Sequence, residues 1–294
     1  MSDRASNPPD IVPREKLDFD LQGDIPRYWL EGDAFKTRYF DAMSTIFPEG
    51  ERYFISCVRD FRDRIEDPVL LEDVKRFIRQ EGQHGIVHSQ YNDRLRSQGI
   101  DVDRLERFQH HMFFEVVRKR MPAELTLADT AAAEHLTATM AEALFEHGVL
   151  MGEVDPRMRA LYAWHAMEEM EHKAVAFDVL QKVARVGYLR RVMALVLVTL
   201  GFNLNVLLTT RYILRCDGFN AWQRAGLFAK GLWWLYGPRG VYTRMLPSYL
   251  RYFKPGFHPW QGRTLKSYGV WSEAYHRSGD PIAAGEALRT LSAT

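Results

Sequence analysis

The chain has 294 residues, 46% hydrophobic and 26% charged, with a net charge of +1 and only two cysteines, Cys57 and Cys216. This composition excludes wholesale disorder, and the length suffices for one large domain or two small ones with a substantial core. Two cysteines at no metal-like spacing exclude a disulfide scaffold and a thiolate metal site, and make a reducing compartment the expectation.

Residues 1–30 carry Pro8, Pro9, Pro13 and Pro26 and read as an extended, partly ordered arm. They lack a signal peptide's apolar stretch, so a cytoplasmic chain is expected. Pro48 is placed as a first-turn proline and predicts a helix to about Glu66. Pro68 opens a second helix, to about Ser97, where Gly99 stops it. A shorter helix is predicted from Val102 to Lys119, ahead of Pro122. Two long ones follow, from Ala123 to Leu150 and from Pro156 to Val186, separated by Gly148 and Gly152. No stretch alternates as a strand would. Four long helices and one short connector predict an all-α, ferritin-like four-helix bundle over residues 31–186.

The run Val192–Thr210 is nineteen residues without a charge, the length of a membrane span, but Asn203 and Asn205 lie near its middle. A helix packed on the bundle is the expectation. From Val183 to Trp260 eleven Lys/Arg stand against one acid, Asp217, interleaved with Trp222, Trp233, Trp234 and several tyrosines. Residues 187–265 are therefore read as a C-terminal helical extension, apolar and basic, and residues 266–294 as a polar tail with one weak helix. Basic residues among tryptophans fit peripheral contact with the inner face of a membrane, and no nucleic-acid-binding motif accompanies them.

The chemistry-bearing signal is a pair of Glu-x-x-His motifs, Glu81 with His84 and Glu169 with His172, 88 residues apart on separate predicted helices. Residues three apart share a helical face, so each pair can offer a carboxylate and an imidazole to one ion. A dinuclear site in a bundle needs one further Glu from each of the other two helices. Glu51 lies on a stripe with Phe54, Ile55 and Val58, and Glu134 on one with Leu127, Ala131, Ala138, Ala141 and Phe145; Glu142 and Glu146 are alternatives on the same helix. Acids on apolar faces are costly unless compensated, and two divalent ions balance four carboxylates. His165 precedes Glu169 by four, and His88 follows His84 by four. His88 is open between ligand, support for a ligand and substrate contact. Glu168, Glu171 and Asp178 are candidates for orienting imidazoles. His110, His111, His135 and His147 have no such company and read as surface or core histidines.

The stretches Phe77–Asn92 and Trp164–Asp178, with Lys254–Trp260 (KPGFHPW), resemble the bacterial family described as predicted metal-dependent hydrolase, over roughly residues 30–265. The set Glu51, Glu81, His84, Glu134, His165, Glu169 and His172 is also similar to the ligand set of the di-iron p-aminobenzoate N-oxygenases. That likeness covers ligands only. It implies two iron ions, with manganese or zinc as alternatives, and chemistry with dioxygen and an external electron donor. The apolar C-terminal half points to a small, apolar organic substrate. A dinuclear hydrolase is the main alternative, and a non-catalytic metal-sensing or iron-handling protein the next. A homodimer is compatible with this reading.

Overall fold

The computed structural model describes residues 8–261 and 265–293; the arm's first seven residues and Thr294 lie outside them. The fold is all-α, and no strand forms among the described residues. The helices are α1 (Ala34–Ser44), α2 (Phe47–Arg59), α3 (Pro68–Ser97), α4 (Val102–His110), α5 (Arg118–Arg120), α6 (Ala123–Ala141), α7 (Pro156–His172), α8 (Val175–Asp178), α9 (Tyr188–Cys216), α10 (Ala221–Tyr236), α11 (Val241–Arg251), α12 (Lys266–Ser278) and α13 (Pro281–Ala287).

Local chemistry fixes the ends of the long helices. Asp67 caps α3 by accepting from the amides of Val69 and Leu70, Pro68 occupies the first turn, and Gly99 takes φ +83° just beyond the end. Asp155 caps α7 in the same way, with Pro156 behind it. The helix expected to reach Glu66 stops at Arg59 and continues as a single 3-10 turn at Arg62–Arg64. Those expected to reach Leu150 and Val186 loosen into π-helical turns at Glu142–Glu146 and Val179–Val183.

Helices α2, α3, α6 and α7 form a four-sided bundle, in which α2 packs on α3 and α6, and α7 on α6 and α3. From Met158 to His172 every residue of α7 is buried. A helix buried all round needs a partner on every side. Its outer side is covered by α12 and α13, where one weak helix was expected. Gly285 of α13 permits this, since a Cβ there would lie 2.8 Å from the Ala160 Cα. The N-terminal arm also lies on the bundle, with Ile11, Phe19, Leu21 and Ile25 buried and Phe19 packed on Trp164 at 5.4 Å. Helix α9 lies across α1 and α6.

Candidate metal centre

All seven side chains singled out by motif and face converge inside the bundle. Glu51 comes from α2, Glu81 and His84 from α3, Glu134 from α6, and His165, Glu169 and His172 from α7, and all are buried. Two triads have ligand atoms within 4.8 Å of one another: Glu51, His84 and His165, and Glu81, Glu169 and His172. Glu134 joins the second, its Oε2 3.3 Å from His172 Nε2.

Glu169 reaches both triads. Its Oε1 lies 3.1 Å from His165 Nε2 and 3.7 Å from His84 Nδ1, and its Oε2 lies 3.6 Å from His172 Nε2. Glu81 Oε1 is likewise 3.0 Å from His172 Nε2 and 3.9 Å from His84 Nδ1. These two carboxylates lie near imidazoles of both triads, whereas Glu51 and Glu134 each lie beside one. Donors sharing an ion at about 2.1 Å sit roughly 3.0–3.4 Å apart in octahedral or tetrahedral geometry.

Hydrogen bonds behind the site fix which imidazole nitrogens face it. Ser44 Oγ donates to Asn92 Oδ1 at 3.0 Å, so it must accept from His88 Nδ1–H at 2.9 Å. His88 Nε2 is then an acceptor and takes the His165 Nδ1 proton at 2.8 Å, leaving the His165 Nε2 lone pair toward Glu169. His88 is therefore a support for His165. The His172 Nδ1–H donates to Gln80 Oε1 at 2.8 Å, which turns its Nε2 lone pair inward. Gln80 Nε2 donates in turn to Glu171 Oε2 at 2.8 Å. Glu171 also accepts from Arg14 at 2.8 Å, from Tyr268 at 2.9 Å and from the Val12 amide at 2.9 Å. Arg14 also donates to Glu168 Oε1 at 3.1 Å, and Glu168 Oε2 lies 3.2 Å from His84 Nε2. Of the three acids named as candidates for orienting imidazoles, Glu168 stands against His84 and Glu171 behind His172 through Gln80. Asp178 does not; it pairs with His258 and Lys182. Glu142 and Glu146 bond Ser248 and Ser267, away from the centre. Arg14, Gln80, Ser44, Asn92 and Tyr268 carried no signal in the sequence, although Gln80 lies one turn before His84 on the same helix.

The family model described as predicted metal-dependent hydrolase matches residues 13–262. The chain belongs to this family. No curated protein and no solved structure matches it.

The family's metal dependence fits the donors present. Among the described residues, fifteen buried side-chain polar atoms lack a hydrogen-bond partner, and six of them, from Glu51, Glu81, His84, Glu134 and His172, face the centre. Unpaired buried polar atoms are rare, and so many converging on one region fit a site for cations. Electrostatics agree. Burial, then the neighbouring carboxylates, pushes Glu51 and Glu134 well above the usual carboxylate range, and burial raises Glu168 to about 8 against the pull of Arg14. Burial would raise Glu169 too, but His172 and His165 hold it well below that range. Burial, then His165, lowers His84 and His88 and keeps both neutral. Without cations these carboxylates cannot all ionise; with two divalent ions they can.

Beside His165 and Glu169 a small apolar pocket opens between α1, α2, α6 and α7, lined by Met43, Phe47, Met140, Leu144 and Tyr162. Thr137 is the one aliphatic hydroxyl on its wall, and it donates to Glu169 Oε2.

Proposed function

We propose that the bundle holds two iron ions and uses them to activate dioxygen for the oxidation of a small, apolar organic substrate. Glu51, His84 and His165 would hold one ion, Glu134 and His172 the other, with Glu81 and Glu169 shared. The observation that carries this reading is the apolar pocket beside His165 and Glu169. Its aliphatic and aromatic lining suits dioxygen better than the water a hydrolase must admit. Two ferrous ions held there would supply electrons in pairs for reducing dioxygen, with an external donor restoring them.

The chain's own residues have three tasks in this reaction. His88 and Gln80 hold His165 and His172 with their ligating lone pairs inward, so the site is organised before a metal arrives. Met43, Phe47, Met140 and Leu144 keep bulk water from the reacting face. Thr137 offers a hydroxyl proton beside Glu169, on the pocket side of the centre.

A dinuclear hydrolase, favoured by the family's description, is the second reading; there the same donors would activate water without redox change. The test is metal analysis of protein purified without chelators, followed by anaerobic ferrous titration and exposure to oxygen. Two ferrous ions per chain and oxygen uptake with formation of a diferric product are expected. Full turnover on zinc, with no oxygen uptake by the ferrous protein, would overturn the oxidase reading in favour of the hydrolase.

A further inference from the structure

Helix α9 is 29 residues long and apolar enough to cross a membrane, yet only 22% of its apolar window is buried in the fold. Its outward side is one stripe: Leu189, Met193, Leu197, Leu200, Leu204 and Leu208 are each more than half exposed. These fall at four- and three-residue steps on a single helical face. The opposite side, with Ala194, Leu195, Val206, Ile213 and Leu214, is buried against the bundle. A helix fixed to a polar bundle along one side cannot span a bilayer, but it can lie in the interface plane.

The apolar surface continues onto the neighbouring helices. Tyr236 of α10 donates to Asn203 Oδ1 at 2.7 Å, and Tyr249 of α11 bonds Thr199 at 3.1 Å. Trp233, one turn before Tyr236 on α10, and Leu246, one turn before Tyr249 on α11, are exposed, as is Leu250. The two amides that argued against a membrane span are used up here: Asn203 meets Tyr236, and Asn205 pairs with Gln109.

The rim is predominantly basic. Arg211 and Arg215 continue the α9 face three and seven residues beyond Leu208, and both are exposed. The single acid from Val183 to Trp260, Asp217, is turned inward and held by both arms of Arg38 at 2.7 Å. A cavity of about 350 Å³ between α1 and α10 is lined by Lys36, Lys230, Trp233, Trp234, Arg239 and one acid, Asp33, whose carboxylate caps α1 by accepting from the Lys36 amide. No ion pair engages Lys230 or Arg239 among the described residues. An identical copy of this face would meet it cation to cation, whereas an anionic bilayer complements it.

We infer that the α9–α11 face docks on anionic membrane surfaces, with the leucine stripe among the acyl chains, the tryptophans at headgroup level, and Lys230 and Arg239 receiving a lipid phosphate. The test is co-sedimentation of the full chain with phosphatidylcholine vesicles, with and without phosphatidylglycerol, at low and high salt. Binding should require the anionic lipid and weaken with salt. The K230Q/R239Q variant should bind about thirtyfold more weakly, as expected for two basic side chains near an anionic surface. L200E/L204E, at exposed positions that the fold does not use, should abolish binding while leaving the circular dichroism spectrum unchanged. Indifference to lipid charge, or no sedimentation with anionic vesicles, overturns the proposal. So does a dimer in light scattering that L200E/L204E dissociates, since a second copy would then be the occupant.

Discussion

Replacing Arg14 by Met tests whether the N-terminal arm orients the metal centre or merely lies on it. Met keeps much of the side chain's volume and removes its charge and all its donors. Arg14 is buried, stacks on Trp271 at 5.0 Å, and bonds Glu171 at 2.8 Å and Glu168 at 3.1 Å. Breaking a buried ion pair on one side costs about 3–5 kcal/mol. The lower end applies, because burial already raises Glu168 to about 8 and leaves it largely protonated at neutral pH. Glu171 loses its cationic partner but keeps donors from Val12, Gln80 and Tyr268. A loss of about 3 kcal/mol corresponds to a melting temperature roughly 5–10 °C lower. The decisive readout is metal affinity: Glu171 fixes Gln80, Gln80 fixes His172, and loss of such outer partners typically weakens binding about 10–100-fold. Isothermal titration with ferrous or zinc ion measures this, and Arg79→Met is the control. Arg79 also ties the arm, to Glu15 at 2.6 Å, but in an exposed pair worth less than about 1 kcal/mol. If Arg14→Met melts earlier yet binds metal as the wild type does, the arm stabilises the fold without orienting the site, and no relay runs from Arg14 to His172.

Other expectations follow from the same geometry. Glu169→Ala and Glu81→Ala each remove a shared carboxylate and should lower the metal content below two ions per chain; unchanged stoichiometry in both variants would refute the assignment. His88→Leu should keep two ions while weakening their binding about 10–100-fold, because His165 loses the acceptor that orients it; loss of one whole ion would instead make His88 a ligand. The metal-free protein should lose stability as pH rises from about 6.5 to 8.5, followed by thermal denaturation. Glu51, Glu134 and Glu168 are raised from 4.5, so their contribution is full below that value and is lost as pH rises through the folded value, about 8 for Glu168. His84 and His88 are lowered from 6.5, so theirs is lost only on the acid side. Metal-loaded protein should lack the alkaline loss, and identical slopes for the two forms would contradict the charge balance proposed for the site.

What could be read from the sequence followed from locality. Pro68 and Gly99 bracket α3 because a missing amide and a positive φ act at single positions. Glu81 with His84, and Glu169 with His172, are visible because three-residue spacing alone puts them on one face. Glu51 and Glu134 are visible because an acid on an apolar stripe is costly and demands a reason. Helix α1 had no such signal: ten of its eleven residues are buried, so it has no polar face to set a period against. The π-helical turns that end α6 and α8 leave no mark in composition. The supports of the imidazoles were hidden for a different reason. Arg14 lies 157 residues from Glu171, and Tyr268 lies 97 residues beyond it. Only the burial of α7 on all sides brings these three together. A lone arginine in a proline-rich arm and a tyrosine in a polar tail look like solvated residues until α7 is covered. The candidate ligands are thus set by helical spacing, but their orientation depends on Arg14 of the arm and Tyr268 of α12 both closing over α7.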